Sequence, residues 1–223
     1  MEKKRSRLVT VGILAVALLS VLIGSAIGKY TTTVPVSGTV TFNASLATSI
    51  TLQEHKAERQ GDGSYELSTT ETVTSQTYSL LPGLDIPKDP YITITGKTPI
   101  KAYLFVEIVD TLAETKDGTT YTPITYTVSS DWLKLNDVTG KNGGTVYVYQ
   151  GDKTEAKPIT TDLTVQILAP LVKDKPETIR VSQKLIAQSD SDSNDVLKFY
   201  ACMGETAMGT TPAAVYKAIN NIT

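Results

Sequence analysis

The residues that first suggest chemistry are Glu54, His55 and Glu58, because imidazole and carboxylate groups close in sequence can bind zinc. Zinc proteases commonly carry two histidines on one helix face with a glutamate beside them, in the pattern H-E-x-x-H. This chain has a single histidine, and the polar residues around it lack the apolar pattern of a buried element. We therefore expect these three residues to lie in a solvated loop or insertion and to hold no metal.

A second group of oxygen ligands resembles the start of a calcium loop. Asp190, Asp192 and Asn194 stand at alternate positions, as the first ligands of an EF-hand do. The glycine expected at the sixth position is Asp195, and the glutamate expected at the twelfth is Ala201. The pattern therefore favours a helix cap around Asp192, with a weak surface cation site as the alternative.

The only cysteine, Cys202, cannot form an internal disulfide. A cysteine nucleophile needs a base, for which the chain offers only His55. We expect Cys202 to be a small buried residue on a helix over residues 195–203. There is no G-x-S-x-G and no glycine-rich phosphate loop, so we predict no catalytic residue and no cofactor.

The N-terminal 28 residues have the layout of a secretory signal peptide. Four basic side chains precede an apolar stretch over residues 8–23, and small residues follow it. Cleavage is expected after Ala26 or Gly28, and a retained membrane anchor is the alternative, since about 20 apolar residues can span a bilayer. Without this leader the chain is mildly acidic, which argues against a nucleic-acid partner.

The rest of the chain has the composition and alternation of β-strands, rich in Thr, Val, Ile and Tyr. Turn sequences separate the strands, at residues 61–63, 117–118 and 142–144. The uniformly apolar segment 102–109 is expected to be a central strand. Thr211 and Pro212 predict the start of a short C-terminal helix. The predicted strands are residues 32–42, 47–52, 65–67, 71–79, 91–95, 102–109, 121–128, 132–135, 145–149, 162–168 and 178–187.

The most distinctive mature segment is LLPGLDIPKDPY, residues 80–91. Its three prolines force extended or turn geometry on the residues before them, and Pro82 with Gly83 fits a type II turn. This segment is predicted to be a stiff connector into the following strand.

These features in this order resemble the TasA/camelysin family of Firmicutes, which are secreted proteins of biofilm matrix fibres. The sharpest parts of the resemblance are the leader, LPGLDIPKDP with the two strands after it, and KLIAQSD at residues 184–190. The C-terminal sequence NDVLKFYACMGETAM departs from the alanine-rich helix of many relatives. The camelysin name carries a protease activity, for which this chain has neither H-E-x-x-H nor a second histidine.

The spacing of the strands predicts an all-β, antiparallel sandwich or barrel with short C-terminal helices, preceded by the signal-peptide helix. The resemblance implies that this fold is a jelly-roll-like β-sandwich. It also implies head-to-tail polymerisation, in which the freed N-terminal segment adds a strand to the next subunit. The matching stretch is residues 29–40, where Pro35 must face an unbonded edge position. The residues expected to carry self-assembly are Lys29, Tyr30, Val34, Val36 and Val40.

The sequence thus predicts a signal peptide over residues 1–28, a donor strand over 29–40 and a sandwich domain over 41–223. The expected function is a secreted, extracellular fibre subunit whose main partner is itself, with other matrix or cell-wall components as further partners. It is not expected to be an enzyme, and it meets a membrane only through the uncleaved leader. The alternative is a monomeric surface adhesin, and a camelysin-like protease ranks last. The adhesin's binding face would use tyrosines from the set Tyr121, Tyr126, Tyr147 and Tyr149.

Overall fold

The computed structural model describes residues 32–33, 49–74, 76, 78, 83–96, 101–110, 114–116, 119–121, 124–151, 153–181 and 197–223. Within these residues the chain is mostly β-strand. The strands are β1 (Thr32–Thr33), β2 (Ser49–Arg59), β3 (Tyr65–Val73), β4 (Asp85–Pro87), β5 (Tyr91–Thr95), β6 (Ala102–Asp110), β7 (Glu114–Lys116), β8 (Thr119–Tyr121), β9 (Ile124–Thr125), β10 (Thr127–Val128), β11 (Trp132–Thr139), β12 (Thr145–Tyr149), β13 (Leu163–Gln166), β14 (Leu168–Ala169), β15 (Thr178–Val181) and β16 (Leu197–Glu205). A 3-10 turn (Thr206–Met208) and one α-helix, α1 (Pro212–Asn220), follow.

Two larger sheets dominate the fold. One has the strand order β1-β16-β6-β12-β11 and the other β13-β5-β2-β3. Smaller sheets, β4-β15-β9, β7-β8 and β10-β14, complete the pairing. The described pairs are antiparallel except for β1 with β16, which is parallel. The prediction of an all-β, antiparallel fold is therefore confirmed at this level.

Both faces of β6 are buried, which explains its nearly continuous apolar sequence. Leu104, Val106 and Ile108 belong to the main core cluster, together with Leu52 of β2 and Ile92 of β5 in the opposite sheet. The two large sheets thus pack face to face. The prediction that residues 102–109 form a central strand is confirmed by the position of β6 between β16 and β12.

Helix α1 covers the outer face of the five-stranded sheet. Its Val215, Tyr216 and Ile219 pack in a second cluster with Phe105 of β6 and Val146 of β12. The predicted start of this helix is confirmed, since it begins at Pro212.

The predicted helix over residues 195–203 is wrong, because Leu197–Glu205 form β16. All nine residues of β16 pair with β6, from Leu197 opposite Asp110 to Glu205 opposite Ala102. Residues 197, 199, 201 and 203 alternate into the core, and each is almost fully buried. This period of two competes with the helical spacing in the sequence, and pairing along the whole of β6 favours the strand. The C-terminal region accordingly has one α-helix among the described residues.

Two predicted turns are confirmed. Gly63 adopts a φ of 89° in the turn between β2 and β3, and Gly143 adopts a φ of 83° between β11 and β12. Such positive φ angles favour glycine, which lacks a Cβ. Several strand boundaries differ from prediction. Residues 65–67 and 71–79 contribute to one strand, β3, which ends at Val73, and residues 121–128 span the end of β8, all of β9 and all of β10.

In the part of the chain that the structure describes, no helix is both long and apolar enough to cross a membrane.

Candidate functional site

The N-terminal segment meets the folded domain at the edge of the five-stranded sheet. Thr32 lies opposite Phe199 and Thr33 opposite Tyr200, in parallel register with β16. On its other side, β16 pairs with β6 over its full length. The outer side of β16 is therefore a backbone edge that accepts an N-terminal strand.

A second site is a pair of oppositely charged side chains buried where β2 passes the segment after β4. Lys88 Nζ lies 2.5 Å from Oε2 of Glu54, and neither side chain has exposed area. The Nζ atom also lies 5.8 Å from the centre of the Tyr78 ring and 5.5 Å from that of Phe199. Charged groups are rarely buried unless they are paired, so the burial of each of these side chains depends on the other.

Strand alternation and a backbone hydrogen bond place these two side chains in the interior. Along β2, Leu52 and Glu54 are two residues apart and point into the same core face. Residues 86–90 are all buried, and the backbone N–H of Lys88 donates to the carbonyl of Glu177 at 2.9 Å. Residues 80–91 were predicted only to connect two strands, but the described part of this segment also places Lys88 and Asp89 in the interior.

Asp89 binds the neighbouring residue of β2. Its Oδ1 accepts the backbone N–H of His55 at 2.9 Å, and its Oδ2 lies 2.6 Å from Nδ1 of the same residue. The His55 ring lies 5.6 Å from that of Tyr91. The prediction that Glu54, His55 and Glu58 lie in a solvated loop is wrong. All three are in β2, with Glu54 buried, His55 half-buried and only Glu58 exposed.

Burial dominates the electrostatics of Glu54. Loss of hydration raises its pKa, the charge of Asp89 raises it further, and the attraction and hydrogen bond of Lys88 oppose the rise without cancelling it. Its second oxygen, Oε1, has no hydrogen-bond partner among the described residues. The site thus raises the pKa of a buried carboxyl group and leaves one of its oxygens without a hydrogen bond.

A third polar cluster centres on Glu107, which is 2% exposed. Its Oε1 accepts the backbone N–H groups of Asn142 and Gly144 at 2.8 and 2.9 Å. Its Oε2 accepts from Asn142 Nδ2 and from the Tyr216 hydroxyl at 2.9 and 3.1 Å. With four donors, this carboxyl group anchors a hairpin and a helix and leaves no oxygen for a substrate.

Cys202 is a free thiol beside this cluster. It lines a small pocket with Glu107, Tyr216 and Asn220. Burial raises the pKa of the thiol to about 12, against a smaller lowering by the hydrogen bond from Asn220. The prediction of a small buried residue on a helix is wrong, because Cys202 lies on β16 and the residue is half-buried. A thiol with so high a pKa is a poor nucleophile.

Within the described ranges, no group of three or more His, Cys, Asp and Glu side chains is arranged to hold a metal ion. The weak cation candidates Asp190, Asp192 and Asn194 lie outside those ranges, as do the cleavage positions Ala26 and Gly28. The same holds for the predicted self-assembly residues Lys29, Tyr30, Val34, Val36 and Val40.

The tyrosines considered for an adhesive face lie largely in the interior. Tyr149 is 8% exposed and packs edge-on against Trp132 at 5.8 Å between ring centres. Tyr126 and Tyr147 are half-buried against the core, and burial raises the pKa of both hydroxyls. These three are therefore strand residues that contribute to packing.

Sequence reasoning missed the buried pair and the edge of β16. The signal for the first was Lys88 and Asp89 set between prolines, shortly after the apolar residues Leu84 and Ile86. The signal for the second is the alternation of Leu197, Phe199 and Ala201, which competes with a helical spacing of Val196, Phe199, Tyr200 and Met203. In comparisons with protein-family models, curated proteins and solved structures, nothing matched this chain.

Proposed function

We propose that this chain is the secreted structural subunit of an extracellular biofilm-matrix fibre. In this proposal the N-terminal segment of one subunit, residues 29–40, adds a strand to the β16 edge of the next. The observation that supports it best is the pairing of Thr32 and Thr33 with Phe199 and Tyr200. The same pairing made between molecules would join subunits head to tail.

The β16 edge suits this role because it is long and sits beside the core. β16 has nine residues, while among the described residues only the two of β1 pair with its outer side. An exposed strand edge carries unpaired N–H and C=O groups that another chain can satisfy.

The register of β1 predicts which donor side chains would enter the core. If the pairing of Thr32 and Thr33 continues along β16, Val34 lies opposite Ala201 and Val36 opposite Met203. Both acceptor residues are buried in the main core. In the other direction Tyr30 lies opposite Leu197, while Lys29 falls on the other face. Val40 would extend beyond the end of β16 at Glu205.

A head-to-tail contact of this kind uses two different surfaces of each subunit, so it continues into a filament unless it closes into a ring. The leader would control when this begins. While residues 1–28 remain attached, the donor segment is tethered at the membrane, and cleavage after Ala26 or Gly28 frees it. The jelly-roll-like connectivity of the sandwich is part of the same proposal.

The first experiment compares a protein of residues 29–223 with one that begins at Ser37, by negative-stain electron microscopy. The longer protein should form filaments and the shorter should remain monomeric. Val34→Asp in the longer protein should abolish filaments, because it places a charge in the core. Thr33→Asp is the matched control, since the adjacent residue faces the opposite side of the sheet. Filaments from the protein that begins at Ser37 would contradict the proposal.

A second experiment separates pairing between molecules from pairing within one. Two proteins are prepared on a Cys202→Ser background, one with Thr33→Cys and the other with Tyr200→Cys. Neighbouring residues of paired strands are close enough for a disulfide. Oxidation of the mixture should give covalent heterodimers. If a disulfide forms only when both substitutions are in one chain, the N-terminal segment stays on its own subunit and exchange does not occur.

A further inference from the structure

The contact between Lys88 and Glu54 holds an amine and a carboxyl group together in the interior. Nζ and Oε2 are 2.5 Å apart, and the side chains come from segments 34 residues apart along the chain. Both are fully buried. Reacting groups that a fold keeps aligned and in contact can behave as if at effective concentrations of about 10⁵ M or more.

Burial favours the neutral form of the Glu54 carboxyl group, which amide formation requires. An amine is a nucleophile only without its extra proton, and a carboxylate resists attack unless it is protonated. Aromatic rings flank the Lys88 amine, and desolvation raises the pKa of Glu54. Transfer of one proton along the 2.5 Å contact would convert the ion pair into a neutral amine and a neutral acid, the two forms that react.

We propose that Lys88 and Glu54 join in an intramolecular amide bond between Nζ and Cδ. After the proton transfer, the Nζ lone pair attacks Cδ, so a C–N bond forms. The bond from Cδ to one carboxyl oxygen then breaks, and that oxygen leaves as water with one of the remaining amine protons. The net reaction converts one ammonium group and one carboxylate into one amide and one water molecule, with no oxidant and no further reactant.

This bond would give the domain a covalent link that its cysteine content cannot supply, since Cys202 is the only cysteine. It would tie β2 to the segment that leads into β5. Cross-links between distant positions stabilise a fold mainly by restricting the unfolded chain. A subunit under tension in a fibre gains from such a link, but the bond itself does not depend on fibre formation.

The test is the mass of the purified protein after denaturation. We expect the intact mass to fall below the sequence mass by one water molecule. Because an Asp-Gly sequence such as Asp62-Gly63 can also lose water, the position must be established by tandem mass spectrometry. Trypsin should release a branched peptide that joins residues 30–56 to residues 60–97, with Lys88 uncleaved.

The matched variant is Glu54→Leu with Lys88→Met, which removes both groups without leaving a buried charge. It should fold, by circular dichroism, and should show neither the mass loss nor the branched peptide. The Lys56 and Glu71 pair is an internal control, because it has a similar separation of 2.7 Å but is exposed to water. No branch is expected there. Wild-type protein is first incubated for a long period in the folded state. If it then keeps the full sequence mass and trypsin cleaves after Lys88, the proposal is overturned.

Discussion

The hydroxyl of Tyr216 on helix α1 donates a hydrogen bond of 3.1 Å to Oε2 of Glu107 on the central strand β6. The two residues are 109 positions apart in the sequence. The same carboxyl group accepts hydrogen bonds from Asn142 and Gly144 in the β11–β12 hairpin. One buried side chain thus fixes both the helix and the hairpin to the five-stranded sheet.

Tyr216→Phe should lower the free energy of unfolding by about 1–2 kcal/mol, the usual contribution of a buried hydrogen bond. The ring would keep its edge-on contact with Phe105, at 5.4 Å between centres, so the loss should come from the hydroxyl alone. Urea unfolding followed by circular dichroism measures the change. An unchanged midpoint would mean that water replaces the hydroxyl at no cost.

Gly140→Ala should destabilise the fold far more than Gly61→Ala, a substitution in the turn between β2 and β3. A Cβ at Gly140 would overlap the carboxyl group of Glu107, whereas one at Gly61 meets nothing within 4 Å. Neither position has a positive φ angle, so the comparison isolates the steric effect. We expect Gly140→Ala to cost at least about 1–3 kcal/mol, as overpacking does, and Gly61→Ala to be nearly neutral. Equal midpoints in urea would show that Glu107 can move aside.

The sequence predicted the strand-rich fold, the turns at Gly63 and Gly143 and the start of α1, because each depends on local chemistry. Alternation, a glycine with positive φ and a Thr-Pro helix start are all visible within a few residues. The prediction of a helix over residues 195–203 is wrong because Val196, Phe199, Tyr200 and Met203 fit helical spacing, while Leu197, Phe199, Ala201 and Met203 fit strand spacing. Pairing with β6, which lies about 90 residues earlier in the chain, favours the strand over the helix.

The buried pair was beyond prediction for a similar reason. Lys88 and Glu54 are both polar, and a polar residue alone in a sequence indicates a surface position. Each becomes tolerable in the interior only because the other is there, and their proximity depends on how β2 packs against the segment after β4. The turns that bring these segments together are local, but the register that aligns them is not.

Cys202 should react very slowly with thiol reagents in the folded protein. Its pKa of about 12 leaves almost no thiolate at pH 8, so labelling with a thiol-specific chromogen should follow unfolding. Urea should therefore accelerate the reaction strongly. Rapid labelling of the native protein at pH 8 would show that the thiol is more accessible than its burial indicates.

The same thiol predicts a dependence of stability on pH. The folded pKa lies above that of the unfolded thiol, so the folded protein keeps a proton that the unfolded chain loses. The contribution of this thiol to the free energy of unfolding should therefore have its full value below about pH 9. It should fall as the pH rises towards 12, by about 1.4 kcal/mol for each pH unit in that window. Other groups titrate there too, so the measurement is the difference in unfolding free energy between wild type and Cys202→Ala. A difference that stays constant from pH 8 to 11 would contradict the prediction.

Glu54→Leu alone should destabilise the domain by about 3–5 kcal/mol, because it leaves the Lys88 ammonium buried without its carboxylate. Adding Lys88→Met should recover most of that loss, since two apolar side chains of similar size replace the pair. Glu71→Leu is the exposed control, as it breaks the contact with Lys56 at the surface, and its urea midpoint should stay close to that of wild type. Guanidinium or urea unfolding of these variants measures the difference. If the double variant were no more stable than Glu54→Leu, the cost would lie in lost packing around residue 54 rather than in an unpaired charge.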